Sequence, residues 1–137
     1  MVSVYGIEGK GGGPALEAVD LSVSYGAETI VKNISMMVPA CRVVSIVGPS
    51  GSGKSTLLRA FNRMTDLEEG VRVRGDVLLY GQSLRSPGVD PVMVRRRVGL
   101  VFQRPNPFPT TVFSNVAFGP TVSGLTEDLN QRVEESL

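Results

Sequence analysis

Eight consecutive residues have the types and the spacing of a phosphate-binding loop. They read Gly48, Pro49, Ser50, Gly51, Ser52, Gly53, Lys54 and Ser55. The three glycines lack Cβ, so the backbone can adopt positive φ and bring its N–H groups close to an anion. An apolar run at 43–47 precedes the loop and a helix-like stretch follows it, which is the context that this motif requires. The pattern predicts the binding of a nucleoside triphosphate.

Individual residues of the loop have separate predicted roles. Lys54 should reach the β- and γ-phosphates, and the hydroxyl of Ser55 should ligate Mg²⁺. The helix that begins near Lys54 adds its free N–H groups and the positive end of its dipole. Because Thr56 lies in the first turn of that helix, we expect the nucleotide contacts to extend from Gly48 through Thr56.

Composition and charge exclude several other classes of protein. The chain has 137 residues, 42% of them apolar and 20% charged, and a net charge of +1, which is typical of one globular domain and not of a nucleic-acid-binding protein. The single cysteine, Cys41, fits a reducing compartment. There is neither an apolar stretch long enough to cross a membrane nor a signal-peptide core. The basic run 95–97 is interpreted as a solvated helix face.

Strand and helix patterns alternate around the loop. Glycines and a proline in residues 1–14 predict a flexible leader, and the rest of the chain, 15–137, predicts one α/β unit with an early antiparallel layer. The predicted strands cover 16–25, 30–38, 43–47, 76–80 and 98–102, and the predicted helices cover 54–64, 91–97, 112–118 and the residues from 126 onward. The ligand is expected at the carboxyl end of strand 43–47.

The loop, together with Tyr25 and Gln103, resembles the ATPase subunits of ABC transporters. The resemblance runs from Ala15 to Leu137, and it is strongest to the branch of the family that energises phosphate import. The phosphate loop is common to many NTPases, so other stretches carry the narrower likeness. These are Phe61-Asn62-Arg63-Met64, Val98-Gly99-Leu100-Val101-Phe102-Gln103-Arg104-Pro105-Asn106-Pro107-Phe108-Pro109 and Asn115-Val116-Ala117-Phe118-Gly119.

The resemblance implies a RecA-like P-loop core with an ABC-type antiparallel layer, and ATP and Mg²⁺ as ligands. Tyr25 matches the aromatic residue that stacks on adenine. Gln103 matches the glutamine that senses Mg²⁺ and the attacking water. It is the only catalytic residue that we predict, and with Ser55 it is one of two predicted metal ligands. The proline-rich loop 104–109 matches the region that meets the membrane-spanning permease subunits. A homodimer on the cytoplasmic face of the cell membrane is also implied.

Several groups that such an ATPase uses for hydrolysis are missing from this sequence. It contains no histidine, and no apolar strand ends in an Asp-Glu pair. Val122-Ser123-Gly124-Leu125 lacks the Gly-Gln of a signature motif. We therefore expect the N-terminal portion of an ATP-binding domain, ending at the start of the helical subdomain, which binds Mg-ATP with negligible hydrolysis by itself.

Three functions are compatible with these residues. The first is the ATP-binding subunit of a phosphate importer, and the second is an ABC ATPase for another substrate. The third is a non-catalytic nucleotide-binding interaction module, which a stable folded state of the isolated chain would favour. A small-molecule kinase or a GTPase would leave the loop after Gln103 unexplained.

Overall fold

A computed structural model describes residues 2–4 and 13–137. The contacts divide the chain into two compact units, Met1–Val101 and Phe102–Leu137. The first unit contains β1 (Val2–Val4), β2 (Pro14–Tyr25), β3 (Glu28–Pro39), α1 (Lys54–Phe61), a 3-10 turn (Met64–Leu67), β4 (Val71–Leu79), β5 (Gln82–Ser83), α2 (Pro91–Arg97) and β6 (Val98–Leu100). The second unit contains α3 (Val112–Val122) and α4 (Leu129–Glu134).

A four-stranded antiparallel sheet, in the order β3-β2-β4-β5, carries the core of the first unit. Strand β2 turns Leu16, Leu21 and Val23 into the core, where each is fully buried. A register shift between Ala18 and Leu21 keeps residues on both sides of it facing the core. Helix α1 covers this face with Ala60 and Phe61. Burying such a side chain stabilises the fold by about 1.5–3 kcal/mol each. The antiparallel layer predicted from the sequence is therefore confirmed.

Helix α2 begins as its sequence predicts. The side chain of Asp90 accepts a hydrogen bond from the backbone N–H of Val92 over 2.9 Å, and Pro91 occupies the first turn. Proline suits that position because its missing N–H would have no intrahelical partner. Strand β6 follows at once and pairs antiparallel with β1, Val2 opposite Leu100.

The predicted strand 43–47 is wrong as an element of this structure. Residues 42–49 have no regular secondary structure, and Val43 and Val47 are 78% and 88% exposed. The other predicted strand of this kind, 98–102, is shortened to Val98–Leu100. An apolar run becomes a buried strand only when other strands pair with it on its edges. In the described part of the chain, no strand pairs with residues 43–47.

Other boundaries also differ from the predicted ones. Strand β4 begins at Val71 rather than at 76, because valines alternate with arginines before Gly75. The long helix 54–64 ends at Phe61, and Arg63 adopts a left-handed φ of 60°. Of the predicted leader 1–14, Val2–Val4 form β1, whereas residues 1 and 5–12 lie outside the described residues.

The second unit has two short helices and an extended, exposed stretch before them. Helix α3 was expected to end before Pro120, but it continues through this residue to Val122. Proline removes only one backbone hydrogen bond here, close to the helix end. The side chain of Asn115 accepts from the N–H of Phe108 over 2.7 Å, and the rings of Phe108 and Phe118 lie 4.7 Å apart.

Helix α4 begins at Leu129, three residues later than expected. No helix of the described residues has the length and apolar character needed to cross a membrane.

Candidate nucleotide-binding site

The glycines of the predicted loop have different structural roles. Gly51 and Gly53 have φ of 78° and 88°, which confirms the predicted left-handed conformation at these two positions. Gly48 does not have a positive φ. Its constraint is a different one, because a Cβ there would lie 3.0 Å from Oγ of Ser52, and that hydroxyl would have to shift. The loop is thus held in a tight turn, with Ser52 N–H donating to the carbonyl of Pro49 over 3.3 Å.

Gly53 ends the loop and starts helix α1. It occupies the N-cap position, and no side chain caps the helix. The first intrahelical hydrogen bond runs from Leu57 N to the carbonyl of Gly53 over 2.8 Å. The N–H groups of Lys54, Ser55 and Thr56 therefore have no acceptor within the helix. Three free donors at the positive end of a helix dipole form a natural site for an anion such as a phosphate.

The side chain of Lys54 folds back over the loop. Its ammonium group donates to the carbonyl oxygens of Gly48 and Pro49, over 2.8 and 2.6 Å, and to Oγ of Ser52 over 3.3 Å. The ammonium group of Lys54 therefore contacts the tight turn of the loop directly. An ammonium group has three donors and rotates freely, so it can exchange these neutral acceptors for phosphate oxygens.

The residues of this loop fit a magnesium ion only in part. Ser55 is exposed, and its hydroxyl makes no hydrogen bond within the described part of the chain. It offers a hard oxygen ligand of the type that Mg²⁺ prefers. Among the described residues, no cluster of three or more His, Cys, Asp or Glu side chains could hold a metal. Mg²⁺ is commonly held by one or two protein oxygens together with substrate phosphates, and a single serine fits that mode.

A groove of about 460 Å³ lies next to the loop, and Lys54 and Ser55 form part of its wall. Most of its lining is apolar, from β3, from residues 43–46 and from α1. The apolar contributors include Met36, Val38, Leu58 and Phe61. Triphosphate binding requires converging donors, so we do not place the phosphates in this groove.

Tyr25, the predicted adenine-contacting residue, lies at the end of β2. Its hydroxyl donates to Oε2 of Glu68 over 2.8 Å. Burial, then the hydrogen bond to Glu68 and its negative charge, raise the pKa of Tyr25 above the ordinary value of 10.0. Tyr25 is therefore linked through Glu68 to α1, the helix that begins at the phosphate loop, and its contact with adenine stays a prediction.

Glu68 is the residue of this site that the sequence did not point to. Its second oxygen, Oε1, lies 3.4 Å from Nη1 of Arg59, so the carboxylate bridges β2 and α1. In the sequence, Glu68 lies in the polar stretch 66–70 between α1 and β4, where no motif distinguishes it. No sequence signal indicates this role, because Glu68 comes close to Tyr25 only through the pairing of Tyr25 with Val71 in the folded sheet.

Gln103 lies in the second unit, where it is exposed and belongs to no helix or strand. The phosphate loop lies in the first unit. A magnesium site shared by Ser55 and Gln103, and the catalytic role of Gln103, therefore stay predictions.

Comparison with known proteins identifies the class to which this fold and loop belong. Residues 31–137 match the ABC transporter family, and the chain is a member of that family. A solved structure, that of cbiO1 from Clostridium perfringens, part of the ABC transporter complex cbiONQ, superimposes with a TM-score of 0.76 at 28% identity. The match covers 91% of this chain and 49% of that chain. The resemblance and the fold class predicted from sequence are thus confirmed.

Within the family, similar curated proteins are phosphate import ATP-binding proteins. PstB 1 of Synechococcus sp. (strain JA-3-3Ab) is 52% identical over 122 residues, which are 89% of this chain and 44% of that protein. PstB of Salinibacter ruber (strain DSM 13855 / M31) is 49% identical over 124 residues, which are 90% of this chain and 50% of that protein. The chain spans about half the length of the curated relatives it matches.

Proposed function

We propose that this chain is the ATP-binding portion of an ABC importer subunit that energises the uptake of inorganic phosphate. The observation that carries the proposal is the loop itself, where the Lys54 ammonium group contacts the turn and the first three N–H groups of α1 have no acceptor within the helix. The chain is also 52% identical over 122 residues to a phosphate import ATP-binding protein. The triphosphate binds the N–H groups of the loop and Lys54. Adenine stacks on Tyr25, and Ser55 provides the protein ligand to Mg²⁺.

Binding and hydrolysis are separable in this proposal. The loop supplies the phosphate cradle and one metal ligand, and Gln103 orients water beside the γ-phosphate. The sequence contains no histidine and no strand-end Asp-Glu pair to act as a switch or a general base. We expect the purified chain to bind Mg-ATP and to release phosphate from it at a negligible rate. Robust turnover by the purified chain, lost in Lys54→Ala, would contradict the second expectation.

The partners follow from the same proposal. The exposed stretch 104–109 docks on membrane-spanning permease subunits, which places the protein at the cytoplasmic face of the membrane. Three prolines restrict this stretch and hold Phe108 at low entropic cost. The complete family protein acts as a homodimer. No nucleic acid is involved, since the net charge is +1.

Uptake of labelled phosphate by the source cell tests the substrate. A Lys54→Ala replacement in the native gene should abolish energised phosphate uptake and leave the uptake of other ABC-imported solutes unchanged. Lys32→Ala serves as the matched control, because Lys32 is an exposed lysine of β3. Loss of uptake of a different solute, with phosphate uptake intact, would favour an ABC ATPase for another substrate.

A further inference from the structure

The phenol of Tyr25 is held by the hydrogen bond that its hydroxyl donates to Oε2 of Glu68 over 2.8 Å. Glu68 is in turn fixed by Arg59 of α1, 3.4 Å from its second oxygen. The hydroxyl is thus fixed relative to the helix that starts at the phosphate loop.

The backbone around this contact is also fixed. Tyr25 is the last residue of β2, paired with Glu28 of β3 and with Val71 of β4. Beyond it, the N–H of Gly26 donates to the carbonyl of Gly70 over 3.0 Å. The backbone therefore sets the position of the Tyr25 Cα, whereas the angle of the ring depends on its packing against the core and on the partner of its hydroxyl.

We propose that Glu68 is a positioning residue of the nucleotide site, which holds the Tyr25 ring at a fixed angle to α1. One face of the ring then meets the base of a nucleotide whose phosphates occupy the loop. This inference rests on the proposed function. It adds a residue that makes no contact with the phosphates and whose effect is limited to ligands that carry a base. A pre-oriented ring loses less entropy when the base binds. The hydrogen bond between Tyr25 and Glu68 therefore increases the affinity for the nucleotide.

The same geometry gives Glu68 a consequence that can be seen without any ligand. Its hydrogen bond and its negative charge both contribute to the raised pKa of Tyr25, after burial. Replacing Glu68 with Ala should therefore move the phenol titration of this residue back toward its ordinary range. The Tyr25→Phe variant identifies the phenol signal, because the chain has two other tyrosines.

The test compares two ligands across a set of variants of the full chain. Affinities for Mg-ATP and for inorganic triphosphate with Mg²⁺ are measured by calorimetry for Glu68→Ala, Glu68→Gln, Tyr25→Phe and the double variant. Glu69→Ala is the matched control, since Glu69 is an exposed neighbouring carboxylate. Loss of one hydrogen bond should weaken ATP binding about fivefold in Glu68→Ala and in Tyr25→Phe, and the double variant should lose no more than either. Glu68→Gln keeps an acceptor and should stay within about twofold of the parent chain.

The outcomes separate this inference from the proposed function. Unchanged triphosphate affinity with weakened ATP affinity supports a positioning role. Equal losses for both ligands, or no loss for ATP, would overturn it while leaving the phosphate loop intact as a binding site. If the parent chain binds neither ligand, the proposed function fails and the inference fails with it. Should Glu68→Ala not fold, Tyr25→Phe gives the same comparison with the ring retained.

Discussion

The ammonium nitrogen of Lys54 lies 2.6 Å from the carbonyl oxygen of Pro49, across the turn of the phosphate loop. The lysine therefore donates a hydrogen bond to an uncharged carbonyl oxygen of its own loop. A phosphate oxygen carries more negative charge than a peptide carbonyl, so it adds the attraction between two opposite charges to the hydrogen bond that the ammonium group donates. A bound triphosphate should therefore displace the loop carbonyls from the ammonium group, so that the lysine changes partners when the ligand arrives.

Replacing Lys54 with Ala should abolish measurable ATP binding. The substitution removes charge-assisted hydrogen bonds that contribute about 1.5–3 kcal/mol each. Calorimetric titration with Mg-ATP checks this, with Lys32→Ala as the control for loss of one positive charge. Lys32 is exposed on β3. Unchanged ATP affinity in Lys54→Ala would rule out the loop as the phosphate site.

Alanine substitutions at Gly51 and Gly53 should differ in their cost to stability. Both residues have left-handed φ, which costs a residue with a Cβ about 1–2 kcal/mol. A Cβ at Gly51 would meet open space, whereas at Gly53 it would lie 3.1 Å from the carbonyl oxygen of Ile30 and 3.3 Å from Cγ2 of Val31. Overpacking of this kind adds about 1–3 kcal/mol.

Gly53→Ala should therefore lower the free energy of unfolding by more than Gly51→Ala does. Chemical denaturation of both variants alongside the parent chain measures the difference. Equal destabilisation would show that the β3 contact relaxes freely and that only backbone strain matters at the two positions.

The stability of the folded chain should decrease in alkaline solution because of Tyr25. Its pKa is raised in the folded state above the ordinary 10.0, so the unfolded chain loses this proton first. The stabilising contribution is fully present below about pH 10 and is lost as the pH rises through the folded pKa. Thermal unfolding across this range measures the effect, and Tyr25→Phe should weaken the dependence. If the melting temperature of Tyr25→Phe falls with pH as steeply as that of the parent chain, Tyr25 is not the cause of the alkaline destabilisation.

Local patterns in the sequence predicted much of this structure. The loop geometry at Gly51 and Gly53, the pairing of β2 with β3 and the Asp90 cap of α2 all depend on residues that lie close together in the chain. Turn chemistry and capping are short-range effects, so the sequence contains them directly. The family membership was also predicted from motifs, since each of these lies within a short stretch of the chain.

Features that depend on distant residues were not predicted. The contact between Tyr25 and Glu68 joins residues 43 positions apart, and no periodicity indicates it. The run 43–47 has the composition of a buried strand, but composition does not supply the neighbouring strands that such an element needs. The difference between Gly48 and the other two loop glycines likewise depends on where Ser52 folds back.

The exposed run 43–47 gives the last prediction, which concerns self-association. No backbone group of residues 42–47 makes a backbone hydrogen bond within the described part of the chain. Val43 and Val47 are 78% and 88% exposed. An apolar, β-branched segment with free backbone donors and acceptors is a template for pairing with another copy. The chain should therefore form larger species as its concentration rises, measured by sedimentation velocity.

Val43→Lys should shift this association to higher concentration, because a charge on an exposed strand-like segment opposes pairing. The melting temperature should change little, since the side chain is already largely exposed in the folded chain. Val92→Lys is the matched control. Val92 is 52% exposed, but it lies on α2, where helical hydrogen bonds satisfy the backbone. If both lysine variants reduce association equally, the cause is net charge, and the segment at 43–47 has no special role in it.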